Sequence, residues 1–138
     1  MFFVGCGGAG CGDTAETTHT VTVIAASGST RFTVEIADTE AGRAEGLMNR
    51  TDLTSRQGML FVWLEDTMSS FWMKDTPLSL DILFIDKDSQ IVYVASNTVP
   101  FSEDLITPGT SFRYVLEVPA GFADESAVAV GDRVAINI

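Results

Sequence analysis

Three charged side chains stand in an apolar stretch near the middle of the chain. Between Thr67 and Ile85 the only charged residues are Lys74, Asp75 and Asp81. An unpaired charge in an apolar setting is costly, so each must reach solvent, find a partner or serve a ligand. Structural ion pairs are common, and partnered structural charges are therefore the simpler interpretation.

A catalytic interpretation adds a carboxylate from later in the chain. Lys74, Asp81 and Glu117 could form a hydrolytic or lytic site if the fold brings them together. Two neighbouring carboxylates such as Asp81 and Glu117 can share a proton, and the raised pKa of one then suits acid or base catalysis. Equally, Asp81 could pair with Lys74 or with Arg113, and the residues alone leave both interpretations open.

The methionines suggest a second chemistry. Four of them lie in or beside this region: Met48, Met59, Met68 and Met73. Thioethers are soft ligands that suit Cu(I). Methionine is also an ordinary filler of irregular cores. Copper binding is therefore an alternative function, and we predict no other metal site and no cofactor.

Other catalytic chemistries find little support. The only histidine, His19, stands alone, and neither Cys6 nor Cys11 lies in the predicted domain, which disfavours Ser-His-Asp and Cys-His catalysis. The glycine-rich residues 5–12 lack the Lys-Ser or Lys-Thr of a P-loop, and residues 86–89 lack the downstream glycine and glutamate of an EF-hand. We therefore favour a protein that is not an enzyme.

Composition limits the class of partner. The chain has 138 residues, 46% of them hydrophobic, which suits one domain. Nineteen acidic residues against eight basic ones give a net charge of -11, which repels phosphate backbones and argues against nucleic acid. A transmembrane helix needs roughly 18 consecutive apolar residues, and the sequence has no such run.

The N-terminal residues resemble the end of a lipoprotein signal. Phe3, Val4, Gly5 and Cys6 resemble a bacterial lipobox, in which the cysteine becomes diacylated. Fewer residues precede Cys6 than the roughly 7 to 15 of a signal's hydrophobic run, which a clipped gene start would explain. We predict that residues 1–19 are a signal remnant and flexible tether, and that the protein is extracytoplasmic and anchored to its membrane through a lipid on Cys6. A disulfide to Cys11, two idle thiols and a stray translated upstream region are the alternatives.

Alternating hydrophobicity predicts one mainly β domain over residues 20–138. We expect a compact single-domain sandwich or partly open barrel with one or two short helices. The predicted elements are a hairpin over 20–36, a helix capped by Asp38 and ending near Gly46, strands over 59–64, 70–74, 78–85, 91–95 and 112–118, a helical turn or two over 120–127, and a last strand over 133–138. Residues 96–111 form the longest predicted loop, and long loops are often functional.

Six short motifs then occur in order. They are GLM (46–48), GMLF (58–61), FWMK followed by Asp75 and Thr76, LDILFID (80–86), YVLEVPAG (114–121) and VGD (130–132). Over about residues 31–136 this series resembles the family catalogued as domain of unknown function 192. The family's usual central motif reads FWMKNT, so Asp75 here replaces an asparagine and adds a negative charge beside Lys74. The resemblance implies a compact, mostly β domain that is often exported, and it implies no activity.

The residues favour a binding or scaffold module over an enzyme. We expect a pocket or groove for a small ligand, a glycan or a partner protein, walled by residues 71–76 and by the long loop from 97 to 111. Trp72 and Phe101 are the predicted anchors, and Lys74, Asp75 and Thr76 are the predicted polar contacts. Core packing is the alternative role for both aromatic anchors.

Overall fold

The computed structural model describes residues 18–138. Its elements are β1 (Thr20–Ala25), β2 (Gly28–Ala37), α1 (Glu40–Glu45), β3 (Gln57–Thr67), β4 (Leu80–Ile85), β5 (Ile91–Ala95), β6 (Phe112–Pro119), α2 (Phe122–Ser126) and β7 (Arg133–Asn137). The predicted fold class, mainly β with one or two short helices, is therefore confirmed. The predicted strand over 70–74 was wrong, because only Phe71 makes a bridge there, to Ile106.

The seven strands form one curled sheet in the order β5-β4-β6-β3-β2-β1-β7. All neighbouring pairs are antiparallel except β2 and β3, which are parallel and are joined through α1. A parallel pair needs such a crossover, whereas a tight turn joins β1 to β2.

The two edges of the sheet approach each other. The Ile91 amide donates to the Asp132 carbonyl at 2.8 Å, and the Gly131 amide donates to the Ile91 carbonyl at 2.8 Å. A further bond of 2.9 Å runs from the Val134 amide to the Ser89 carbonyl. These bonds link the start of β5 to the start of β7, so the sheet is a partly open barrel, as predicted.

Each face of the sheet carries its own core. The inner face collects buried apolar side chains from all seven strands, including Val21, Phe32, Leu60, Leu83 and Leu116. α2 closes this face, with the Phe122 ring edge-on to Phe32 at 4.8 Å. Burial of these aliphatic and aromatic groups supplies the main driving force for folding.

The outer face is covered by α1, by the turn after it and by residues 68–79. Its buried members include Leu47, Phe61, Met73, Ile82 and Phe84. All six residues of β4 are buried because both faces of this strand are covered. The cavity described next lies in this outer core.

Candidate functional site

A cavity of about 400 Å³ opens on the outer face of the sheet. Its walls come from α1 and the following GLM turn, from β3, and from residues 69–76, and β6 contributes one side chain, Glu117. Four aromatic residues line it: Phe61, Trp63, Phe71 and Trp72. We call this space the aromatic cavity.

Two of the four aromatic residues, Phe61 and Trp63, lie on β3. Phe61 and Trp63 are two residues apart on one strand and therefore share a face. The pairing of β3 with β6 shifts between Val62 and Thr67, so Trp63 lies where the regular ladder has ended. The Phe71 ring packs edge-on against both, with ring centres 5.2 Å from Phe61 and 6.1 Å from Trp63.

The GLM turn closes the opposite wall. Thr39, and not the predicted Asp38, caps α1, since the Thr39 side chain accepts a hydrogen bond from the Gly42 amide. The helix ends at Gly46, which has φ 51° and whose missing Cβ would lie 3.2 Å from the Phe61 ring. Glycine is needed here for both reasons, and Leu47 then enters the outer core.

Glu117 is the one β6 residue that lines the cavity. It is directly opposite Met59 of β3 and Ile82 of β4, and its side chain is only 5% exposed. Gly58 allows the close approach, because a Cβ there would lie 2.5 Å from the Glu117 carbonyl oxygen. The glycine of the GMLF motif thus holds β3 against the strand that carries this carboxyl group.

No hydrogen bond joins the Glu117 carboxyl group to another residue in the described part of the chain, and its oxygens border the cavity rather than being fully enclosed by protein. Burial raises its pKa from 4.5 to about 8. The physical cause is desolvation, which disfavours the charged form when no partner replaces water. At neutral pH the Glu117 carboxyl group is therefore mostly protonated.

Asp81 has a different environment. It is fully buried, and its Oδ1 accepts a hydrogen bond from the Asn97 amide at 2.8 Å. Its Oδ2 accepts from the amides of Gly121 and Ala123 at 3.2 and 2.8 Å. Gly121 is the N-cap of α2 and has no side chain, so Asp81 supplies the missing cap from β4.

Strand register separates the two buried carboxylates. Glu117 is opposite Ile82, and Asp81 is opposite Val118. Directly opposite residues share a face and consecutive residues alternate, so the two side chains point to opposite faces of the sheet. The predicted proton sharing between Asp81 and Glu117 is therefore contradicted by the structure.

The predicted partners of Asp81 are elsewhere. The Lys74 ammonium lies 5.3 Å from the centre of the Trp72 ring, a cation–π contact. Arg113 pairs with Asp66, with 2.9 Å between the guanidinium and the carboxylate. Of Lys74, Asp81 and Glu117, only Glu117 lines the cavity, so the structure does not assemble the three into one catalytic site.

Among the predicted ligand contacts, Trp72 and Thr76 line the cavity, whereas Lys74, Asp75 and Phe101 do not. Asp75 has φ 54°, and its carbonyl accepts a hydrogen bond from the Asn49 amide at 2.7 Å. Asparagine and aspartate both tolerate this left-handed conformation, which accounts for the exchange in the FWMKNT motif.

The long loop supports the cavity wall without lining it. The Met73 amide donates to the Ser102 carbonyl at 2.8 Å, and the Phe101 amide donates to the Thr76 carbonyl at 3.0 Å. The predicted cavity wall from residues 97–111 was therefore wrong. The side chain of Phe101 is 62% exposed.

The four methionines do not form one cluster. Met48 and Met73 line the cavity, Met59 is buried in the outer core, and Met68 is 62% exposed. Over residues 18–138 there is also no group of three or more His, Cys, Asp or Glu side chains that could hold a metal ion. The geometry thus favours core packing for Met59 and gives copper little support.

Sequence reasoning identified Trp72, Thr76 and Glu117 but missed the contribution of α1 and of Phe61 and Trp63. The sequence did contain a signal for Phe61 and Trp63, because their spacing of two residues places both rings on the same face of a strand. Cys6 and residues 1–17 of the predicted tether lie outside the described residues, but the tether prediction was wrong at His19, whose carbonyl accepts a hydrogen bond from the Val34 amide at 2.9 Å. Within residues 18–138, none of the helices is long and apolar enough to span a membrane.

Comparisons with known proteins place this architecture in a known group of small β domains. The model of the family DUF192, described as Uncharacterized ACR, matches residues 22–136. The chain belongs to this family. No match was found among curated proteins.

Two solved structures share the fold. A protein of unknown function from Novosphingobium aromaticivorans is 36% identical, with a TM-score of 0.82 over 86% of this chain and 84% of that chain. A protein from Sinorhizobium meliloti described as a putative transcription regulator is 38% identical, with a TM-score of 0.83 over 91% of this chain and 98% of that chain. The half-barrel is therefore a shared fold of these proteins.

Proposed function

We propose that this domain is a binding module that holds a small ligand in the aromatic cavity. The observation that carries the proposal is the combination of four aromatic walls with a buried carboxyl group that has no partner among the described residues. Ligand sites are typically concave, mostly apolar and equipped with a few polar groups, and volumes of about 300–1,000 Å³ are usual. The volume of about 400 Å³ suits a small molecule.

An unsatisfied buried carboxyl group is a cost to stability that a purely structural role does not explain. Buried polar groups are nearly always hydrogen-bonded, and the exceptions are often at functional sites. Asp81 shows that this fold can satisfy a buried carboxylate fully with backbone amides. The lack of such partners at Glu117 therefore supports a ligand as the missing partner.

We do not propose transcription regulation, the role given to the Sinorhizobium protein, for this chain. Its net charge of -11 opposes contact with phosphate backbones. Nor do we propose the predicted catalytic set, since Lys74 and Asp81 do not line the cavity with Glu117.

The tryptophans offer a direct test. The chain has two, Trp63 and Trp72, and both line the cavity, so ligand binding should change the intrinsic fluorescence of the full-length protein. A metabolite library screened this way should contain compounds that quench or shift the emission with saturation.

A matched pair of α1 variants completes the test. Ala44 and Ala41 are both exposed on the helix, but only Ala44 lines the cavity. Ala44→Phe should abolish the saturable change, and Ala41→Phe should leave it intact. Equal effects of the two variants, or no saturable ligand in the screen, would contradict the proposal.

We also propose that the domain acts outside the cytoplasm, tethered through a diacylated Cys6. The support is the lipobox-like sequence of Phe3, Val4, Gly5 and Cys6. Mass spectrometry of the protein expressed in a bacterial host from its natural gene tests this. An unmodified Cys6 would exclude the anchor.

A further inference from the structure

The side chains of the aromatic cavity complement a positively charged group. Among the lining residues the ionisable ones are Glu40, Arg43 and Glu45 on α1 and Glu117 on β6. Three of these four residues are acidic, and only Arg43 is basic. Such a lining favours a cationic ligand over an anionic one.

The basic residue, Arg43, already contacts other groups of the protein. Its Nη1 donates to the Val62 carbonyl at 2.9 Å, and its guanidinium carbon lies 5.2 Å from the centre of the Trp63 ring. The guanidinium is therefore held against the wall by protein groups. The same contact shows that a wall of this cavity accepts a cation on an aromatic face.

The buried carboxyl and an aromatic wall are close together. Phe61 of β3 is opposite Val115, two residues before Glu117 on β6. Phe61 and Glu117 are therefore diagonal neighbours on one face of the sheet, a separation that long side chains can bridge. A ligand in the cavity can reach the carboxyl group and an aromatic ring at once.

We propose that the ligand is a small organic cation, an amine or quaternary ammonium compound, whose positive nitrogen is held by the Glu117 carboxylate and the aromatic walls. This inference rests on the proposed binding function and names its ligand class. In the empty protein, Glu117 is mostly protonated at neutral pH because desolvation raises its pKa to about 8. A bound cation supplies the missing counter-charge, so binding releases the carboxyl proton to solvent.

Three probes of similar size and different charge test the ligand class. They are cyclohexylmethylamine, cyclohexylmethanol and cyclohexanecarboxylate, none of which absorbs where tryptophan is excited. Titration of the full-length protein, followed by tryptophan fluorescence, should give binding in the order amine, then alcohol, then carboxylate. The amine should also bind more tightly at pH 8 than at pH 6, with a limiting gain of about tenfold per pH unit below the pKa of Glu117.

Two variants connect the effect to Glu117. Glu117→Gln should weaken amine binding by about tenfold or more, should leave alcohol binding unchanged, and should remove the pH dependence between 6 and 8. Glu65→Gln, which removes an exposed carboxylate on β3 outside the cavity, should bind the amine as the unaltered protein does.

The outcomes separate the two proposals. Stronger binding of the alcohol or the carboxylate, blocked by Ala44→Phe, would overturn the cation assignment and retain the binding function. No saturable binding of any probe up to its solubility limit would overturn both. The comparison of the three probes uses the unaltered protein and so does not depend on the folding of any variant.

Discussion

Asp81 and Glu117 are two buried carboxyl groups on neighbouring strands, and the fold treats them in opposite ways. Asp81, on the inner face, accepts three backbone hydrogen bonds and caps α2. Glu117, on the outer face, lines a cavity that its carboxyl oxygens border, and no side-chain hydrogen bond joins it to another of residues 18–138. A buried charge is tolerated when fixed dipoles replace water, and it is otherwise neutralised by a proton or by a ligand. The comparison therefore assigns a structural role to Asp81 and supports the proposal that Glu117 contacts a ligand.

The largest loss of stability on substitution is expected at Asp81. In Asp81→Asn, the side-chain NH₂ group replaces one carboxylate oxygen. At least one of the three backbone amides that donate to Asp81 then loses its acceptor. We expect a loss of about 3 kcal/mol in the free energy of unfolding, because hydrogen bonds to a buried charge are strong and unsatisfied donors are costly. Urea denaturation at pH 7 measures this, and a loss below about 1 kcal/mol would contradict the capping role.

The substitution Glu117→Gln should instead increase the free energy of unfolding above neutral pH. The folded pKa of about 8 lies above the ordinary 4.5, so the folded state binds more protons between these values and stability falls as pH rises through this window. The slope is at most about 1.4 kcal/mol per pH unit. Glu117→Gln should remove this loss and be more stable than the unaltered protein at pH 9.

The measurement is the free energy of unfolding from urea titrations between pH 4.5 and 9, and Asp81→Asn should retain the slope. Coincident pH profiles for Glu117→Gln and the unaltered protein would show that Glu117 does not titrate in this range. That result would contradict the proposed difference between Asp81 and Glu117.

Gly58 tests the packing that places Glu117. Gly58→Ala introduces a Cβ 2.5 Å from the Glu117 carbonyl oxygen, so β3 and β6 must separate. We expect a loss of about 2 kcal/mol in unfolding free energy, typical of overpacking. Ser55→Ala, an exposed change shortly before β3, is the control and should alter stability by less than about 0.5 kcal/mol.

The smallest effect concerns Asp75, an exposed carboxylate with a conformational role. Asp75→Asn should change the unfolding free energy by less than about 0.5 kcal/mol, since asparagine also tolerates φ 54°. Asp75→Ala should cost about 1 kcal/mol, because alanine disfavours the left-handed region. If the two variants lose stability equally, the carboxylate itself matters and the conformational explanation is wrong.

Much of the local structure follows from the sequence. The alternation of Val21 and Val23 and the apolar run of 80–85 predict the hairpin and a central strand, because strand periodicity and burial on both faces are local properties. The motif series likewise identifies the family, and Trp72, Thr76 and Glu117 are found by their unusual setting. The predicted helix start was off by one residue because Thr39, and not Asp38, takes the capping position.

Only the tertiary structure decides what each carboxylate does. Asp81 and Glu117 both interrupt apolar strands, and their local sequences do not distinguish them. The pairing of Ile82 with Glu117 and of Asp81 with Val118 turns one side chain to the inner face, where the α2 amides meet it, and the other to the aromatic cavity. A shift of one residue in the β4–β6 register would place both carboxyl groups on the same face, because side chains alternate along a strand. The residue types therefore come from the sequence, and long-range strand pairing determines which of them is available to a ligand.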